Sequence, residues 1–384
     1  MAISAKEIRR PITKNPSCTP MSCRILYLIG QLQLGGSERQ LYYLLRHMDR
    51  SRYQPAVAVW NFAGKDIYVP QIRELNVPIY SFEGTFSPIA KLGALRRLIK
   101  QLKPEVVHSF SFYLNVAAHW SARGTQAVAL GSVRSALYLD KKVSGWLLGK
   151  LSARWPRTQI YNSFEASNYN SSTRSLFLPT RVFVVPNGVD LQYFCLTTSP
   201  ATGPVHILAV GSLVLVKRWD RLLSATAELK RRKLSFSLEL AGDGPLRTSL
   251  EQQVQELDIS ERVTFRGYVG DIPALLSHAT FLVHTSDTEG SPNAVMEAMA
   301  CGRAVVATDV GDVASLIEDG KTGFVVPCGD DAMLVERIAT LIMDRDLCRR
   351  MGEAGRAKAE REFGLDRLVS DTLAAYQAVG WKQT

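Results

Sequence analysis

The chain has 384 residues, 46% of them hydrophobic and 21% charged, which excludes disordered, collagenous and fibrous classes and is too long for one ordinary core. Two domains of about 150–200 residues each are expected. The formal net charge of +10 is unevenly held, because residues 1–200 carry 25 basic and 10 acidic side chains and the remainder 21 and 26.

Residues 1–20 form a polar tail without the apolar core of a secretory signal. Short apolar runs bounded by turn residues then read as buried strands at 23–30, 55–60, 104–110, 127–133, 158–163 and 181–188. Helical spacing fills several gaps between them, first through Leu41, Leu44, Leu45 and Met48. A loop rich in Thr, Pro and Ser (196–204) precedes a second series of strands at 205–211, 236–242, 262–267, 280–286, 303–309 and 322–327. Helices are expected at 218–232, 245–257 and 291–302, with a long helical segment at 330–362. Strand and helix alternating twice over implies α/β architecture, two doubly wound Rossmann-like domains facing an interdomain cleft. The boundaries expected are 21–198 for the N-terminal domain and 204–365 for the C-terminal one, with a helix in 366–384 packing back toward the first.

The six cysteines form no CxxC pair and no zinc spacing, which favours reduced thiols in a cytosolic setting. No run reaches the ~18–20 apolar residues of a membrane span, so any membrane would be met from its surface. Two stretches suit that role: 87–105, with Lys91, Arg96, Arg97, Lys100 and Lys103 beside leucines, and 141–155, with Trp146, Leu147 and Leu148 among Lys and Arg. Basic amphipathic helices dock on anionic bilayers, although the same apolar stripes serve equally well as core faces.

Ligands of open parallel sheets sit beyond the carboxyl ends of the strands, which singles out three loops. Gly35-Gly36-Ser37-Glu38 follows the first strand, and its glycines let backbone N–H groups approach an anion or a sugar; a tight turn with a helix cap explains it as well. The loop 211–220 ends in Lys217-Arg218, a point charge and a fork suited to a diphosphate, though such pairs are usually solvated surface. The sharpest signal is TEGSPNAVMEAMACG (288–302), in which Gly290-Ser291-Pro292-Asn293 opens a helix between Glu289 and Glu297. Pro292 fits the first helical turn, the free N–H groups there suit phosphate oxygens, and the two acids can accept from hydroxyls. Two solvated acids on a capped core helix are the plain alternative.

From Val205 onward the chain resembles the C-terminal domain of retaining glycosyltransferases of the GT-B fold, family 4 (glycosyl transferases group 1). VGSLVLVKRWDRLLSA, ELAGDGPLR, RVTFRGYVGDIPALLSHAT, HTSDTEGSPNAVMEAMACGRAVVATDVGD and DGKTGFVVP carry the likeness, and LGGSERQ, VVHSF, YNSFEAS and VVPNGVD extend it more loosely to about residues 23–380. The resemblance implies a nucleotide-diphosphate-sugar donor, UDP- or GDP-linked, as co-substrate, with no cofactor and no metal. It implies that Lys217 binds the diphosphate, Glu289 the hydroxyls of the transferred sugar, the backbone around Ser291, Pro292 and Asn293 the phosphates, and Glu297 the ribose. Gly267, Tyr268 and Val269 would flank the base, Gly35, Gly36 and His108 would face sugar and acceptor, and Arg134 would lie on the acceptor side. Two departures stand out. Ser212 occupies the place where the family usually has a diphosphate-binding Arg, leaving Arg218 as the substitute, and Phe110 stands where many relatives have a polar residue or His.

Transfer with retention of configuration, in polysaccharide or glycolipid assembly, is the expectation. A sugar-nucleotide epimerase and a non-catalytic nucleotide-sugar-binding relative are the alternatives. The basic half shows no nucleic-acid-binding module; its charge points instead to a lipid-linked acceptor at the inner face of a membrane, hence a cytoplasmic, peripheral protein.

Overall fold

A computed structural model describes residues 24–33, 35–63, 66–82, 87–135, 144–172, 175–196 and 203–382. The apolar runs become strands for a local reason: they are rich in β-branched and aliphatic residues and too short for helices, and the inner strands are buried on both faces while β7 and β10 are partly exposed. In the first series these are β1 (Ile25–Ile29), β2 (Pro55–Val59), β3 (Ile79–Ser81), β4 (Val106–Ser109), β5 (Val128–Val133), β6 (Thr158–Tyr161) and β7 (Arg181–Val184). They form one parallel sheet in the order β3-β2-β1-β4-β5-β6-β7. Strand β3 is absent from the expected set, being three residues long behind Pro78.

The second series gives β8 (Val205–Val210), β9 (Phe236–Ala241), β10 (Val263–Gly267), β11 (Phe281–His284), β12 (Ala304–Thr308) and β13 (Gly323–Val326), also parallel, in the order β10-β9-β8-β11-β12-β13. Each sheet therefore reverses direction of growth once, between β1 and β4 in one and between β8 and β11 in the other. Those reversals open crevices at the carboxyl ends of the flanking strands.

The chain divides into two units, Met1–Gly188 with Leu365–Thr384, and Val189–Gly364. The first crossing thus lies about ten residues before the expected 198–204 boundary. The reason is packing: Val189 and Phe194 are buried in the second unit's core, the Val189 N–H donates to Phe363 O, and Arg356 Nη1 donates to Phe194 O at 2.8 Å. The last helix, Leu365–Ala378, belongs to the first unit, where Leu365, Leu368, Leu373 and Tyr376 bury against Ile25, Tyr27 and Ile29 of β1.

Among the described residues no helix is long and apolar enough to cross a membrane. The helix Pro88–Leu102 turns Ala94, Leu95, Leu98 and Ile99 into the first unit's core, and Arg96 Nη1 donates to the carbonyl of Arg123 at 2.8 Å. The apolar stripe of 87–105 is therefore a core face, which corrects the expectation of a docking surface there. Trp146–Arg154 behaves differently, since Trp146 is 75% and Leu147 61% exposed; Lys141 and Lys142 of the same stretch lie outside the described residues.

Candidate active site

The crevice between β8 and β11 collects most of the chemistry. Beyond β8 the chain runs through Gly211 and Ser212 into a single 3-10 turn, Leu215–Lys217. Beyond β11 it runs His284-Thr285-Ser286-Asp287 to Glu289. The two loops are stapled together: the Asp287 N–H donates to Val216 O at 2.8 Å, and the Thr285 hydroxyl reaches Lys217 O at 2.9 Å.

Lys217 Nζ consequently meets Glu289 Oε1 at 2.5 Å. The same oxygen accepts from Ser286 Oγ at 2.7 Å and from His284 Nε2 at 3.0 Å. Burial pushes the Glu289 carboxyl upward, but the His284 hydrogen bond and the Lys217 charge outweigh it and hold the group well below the usual carboxylate range. Burial lowers His284, with the Glu289 carboxylate opposing, so the imidazole is neutral with its Nε2–H aimed at the acid. All three donors converge on Oε1, and among the described residues no protein donor reaches Oε2. One carboxylate oxygen and two of the three ammonium protons are thereby left for a ligand.

The loop that carries Glu289 is seated by backbone contact. Gly311, at φ +58°, lies so close that a Cβ there would sit 2.4 Å from Gly290 O, and the Asp312 N–H donates to that carbonyl at 2.9 Å. Ser291 and Pro292 are buried, and Pro292 occupies the N-cap of the helix Asn293–Ala300 rather than its first turn. Glu297 is also buried, on the second turn of that helix. Neither Glu289 nor Glu297 is a solvated acid. Ser212 is exposed, and its carbonyl accepts from Trp219 Nε1 at 3.0 Å. Gly267 ends β10 at φ +66°, followed by the exposed Tyr268 and the half-buried Val269.

Arg218 does not fill the place of the missing Arg. Its Nη1 donates to Asp287 Oδ2 at 2.8 Å and its Nη2 to Asp220 Oδ2 at 3.0 Å. The hydrogen bond to Asp220, then that to Asp287, raises its pKa above an already high value. Arg221, buried behind it, takes the other oxygen of Asp287 at 3.0 Å. The fork is occupied, so the sequence pair Lys217-Arg218 contributes one available cation.

In the first unit, Gly35 is the extended N-cap of the helix Gly36–His47, and both glycines are exposed. Glu38 folds back over Gly35, where a Cβ would lie 2.1 Å from its Oε2. Arg134 follows β5 at the same edge of the sheet, with its guanidinium carbon 3.9 Å from the centre of the Phe110 ring.

His108 is a correction. It is fully buried on β4, Nδ1 sharing a 2.7 Å hydrogen bond with the Tyr376 hydroxyl and Nε2 a 2.9 Å bond with Ser132 Oγ. Both ring nitrogens are satisfied inside the core, so the side chain faces neither sugar nor acceptor. Burial, with Arg134 adding to it, holds its pKa well below the ordinary value. Its unfolded form takes up a proton below about pH 6.5 while the folded form stays neutral, so its contribution to stability is lost as pH falls through that value, by up to about 1.4 kcal/mol per unit. Urea unfolding at pH 7.5 and 5.5 is expected to show a smaller acid loss in His108→Gln than in the wild type; equal losses contradict the assignment.

His284, Ser286, Asp287 and Arg221 are functional candidates that the sequence did not single out, and Glu38 was named there only as part of its loop. The signal for three of them was present in the polar run His284-Thr285-Ser286-Asp287 closing a buried apolar strand.

Two family models match the chain: Glycosyltransferase Family 4 over residues 34–193 and Glycosyl transferases group 1 over residues 198–358. The N-acetyl-alpha-D-glucosaminyl L-malate synthase of Bacillus anthracis is 30% identical over 173 residues, 45% of either chain. The alpha-D-kanosaminyltransferase of Streptomyces kanamyceticus is 31% identical over 176 residues, 45% of this chain and 46% of that one. The chain thus spans a little under half of the length of these curated relatives. The solved structure of Anabaena Alr3699/HepE in complex with UDP-glucose superimposes with a TM-score of 0.77 at 20% identity, covering 92% of this chain and 99% of that one. Sucrose-phosphate synthase from Thermosynechococcus elongatus superimposes at 0.74 with 21% identity, covering 93% and 99%. The two family matches together take in most of the chain, the solved structures share the GT-B fold of two Rossmann-like domains, and the protein belongs to the glycosyl transferases group 1 family.

Proposed function

We propose that the protein transfers a sugar from a nucleoside-diphosphate sugar to a hydroxyl of its acceptor, with retention of configuration and without a divalent metal. The observation that carries this reading is the Lys217–Glu289 pair at the carboxyl ends of β8 and β11, with Glu289 Oε2 open. HepE, which shares the fold, has been solved with UDP and with UDP-glucose, in support of a nucleotide-sugar donor.

In this reading Lys217 stabilises the negative charge that grows on the diphosphate as the anomeric C–O bond breaks. Glu289 Oε2 accepts from a hydroxyl of the sugar, and its ionised state at neutral pH keeps it an acceptor. The acceptor hydroxyl attacks from the side the diphosphate leaves, and its proton passes to a diphosphate oxygen, so the C–O bond lost is replaced on the same face. The N–H groups around Ser291, Pro292 and Asn293 receive phosphate oxygens. Buried Glu297 holds the ribose.

The two acids differ in what they should cost. Glu297→Gln is expected to weaken the bare nucleoside diphosphate about tenfold, near 1.4 kcal/mol. Glu289→Gln should change that affinity less than about threefold yet blur discrimination between epimeric sugars, because it removes a bond made only to a sugar hydroxyl. Titration calorimetry with UDP, GDP and their sugars decides; equal weakening of the bare nucleotide by both variants sinks the assignment.

The acceptor side is read as polysaccharide or glycolipid assembly at the cytoplasmic face of a membrane. Its support is an exposed apolar and basic surface of the first unit. Lys150 Nζ lies 4.2 Å from the Trp146 ring and 4.9 Å from that of Phe177, bridging the helix to a turn where Leu176 is 82% exposed. Aromatic and aliphatic side chains around a cation suit the boundary between headgroups and acyl chains.

A further inference from the structure

Arg134 is held in a way that neither the donor cradle nor the fold explains. Its Nε and Nη1 are buried and make no hydrogen bond. A buried cation without a counter-charge costs several kcal/mol, and proteins normally pair it. Among the described residues Glu38 acts on it only through space, and so do the phenols of Tyr27 and Tyr376, which sit in the core. Neutral His108 offers nothing, since both of its nitrogens are engaged. Burial brings the Arg134 pKa down to about 10, which leaves the group cationic at neutral pH.

The geometry is that of a prepared receptor. The Phe110 ring, 3.9 Å from the guanidinium carbon, gives the planar group a flat apolar floor and sets its orientation. Burial strips water from part of the fork, so a charged hydrogen bond there is stronger than on an open surface. The exposed helix start at Gly35 and Gly36, with Glu38 folded over it, belongs to the same sheet edge.

We propose that Arg134 anchors an anionic group, a phosphate or a carboxylate, on the acceptor. The word acceptor rests on the glycosyl-transfer reading, since the donor cradle is built on the other unit; the anion site itself does not depend on it. The enzyme would then select acceptors by a charge carried near the hydroxyl that is glycosylated, and Glu38 would moderate the affinity by opposing that charge.

The test uses the full chain saturated with UDP, so that Lys217 is occupied. Inorganic phosphate and malonate are titrated separately against a sodium chloride control of matched ionic strength, with binding read by calorimetry. The wild type should bind one of the two at roughly millimolar affinity. Arg134→Gln should lose about tenfold or more, Arg134→Lys less, because the bidentate fork is gone but the charge remains. Glu38→Gln should tighten the same anion severalfold, and UDP affinity should be unchanged throughout. Should Arg134→Gln fail to fold, Arg134→Lys and Glu38→Gln still move the anion affinity in opposite directions. Equal anion binding by the wild type and the Arg134 variants, or a loss of UDP affinity in place of anion affinity, overturns the proposal. If UDP does not bind at all, the donor reading fails, and the same anion titration in Lys217→Ala protein tests Arg134 alone.

Discussion

Replacing Lys217 with alanine is expected to lower kcat/KM about 100-fold or more, a loss near 2.7 kcal/mol of transition-state stabilisation. The expectation follows from how few cations the site offers. Arg218 and Arg221 are committed to Asp220 and Asp287, and Ser212 brings no charge. Lys217 is the ammonium with donors to spare, placed by a 3-10 turn whose carbonyl is pinned by Thr285. Its removal leaves Glu289 with Ser286 and His284 as donors, so the acid stays satisfied and the loops stay in place. Steady-state kinetics, with circular dichroism as the check on folding, distinguishes lost chemistry from lost structure. Activity within threefold of the wild type removes Lys217 from the mechanism.

The second large effect is expected at a bilayer. Residues 141–181 carry seven Lys or Arg against one acid, and Trp146, Leu147 and Leu176 stand exposed on the same unit. The full chain should sediment with vesicles containing an anionic phospholipid at 0.1 M salt. It should be released at 1 M, as the Debye length falls from about 10 Å to about 3 Å. Neutral vesicles should retain little. Inserting an aromatic or leucine side chain is worth about 1.5–3 kcal/mol, so Trp146→Ser with Leu147→Ser should cut binding at least about tenfold. Lys150→Glu should act through charge at low salt only, and UDP affinity should be untouched by either change. Wild-type protein that stays in the supernatant at low salt points to a soluble acceptor, and full retention of the double variant places the contact elsewhere.

What the sequence made legible was local. Twelve of the strands are short runs of β-branched and aliphatic residues between turns, and the alternation with helical spacing is enough for two parallel sheets. Strand β3 escaped because three residues carry too little pattern. The boundary was placed by composition in a Thr- and Pro-rich loop, yet Val189 and Phe194 had already joined the second core. Contact of that kind is invisible to composition.

The site divides along the same line. Lys217 and Glu289 were legible because each lies in a loop beyond the carboxyl end of a strand, and the fold brings them within 2.5 Å. Arg218 looked like a second phosphate ligand until Asp220, two residues on, and Asp287, 69 residues away, shared out its fork. His108 looked like a strand-end ligand, but Tyr376, 268 residues later, closes over it in the core. The unpaired fork of Arg134 is likewise a property of packing, read only once Phe110 lies beneath it.

The most direct measurement is thermal unfolding of the full chain against a panel of UDP- and GDP-linked sugars, run in EDTA. A ligand that binds only the folded state adds about 2.7 kcal/mol at a hundred times its Kd. A rise in Tm with one nucleotide sugar, metal absent and abolished in Lys217→Ala, is the predicted result. A chain whose Tm ignores every member of the panel, or responds only when magnesium or manganese is restored, contradicts the metal-free nucleotide-sugar site proposed at β8 and β11.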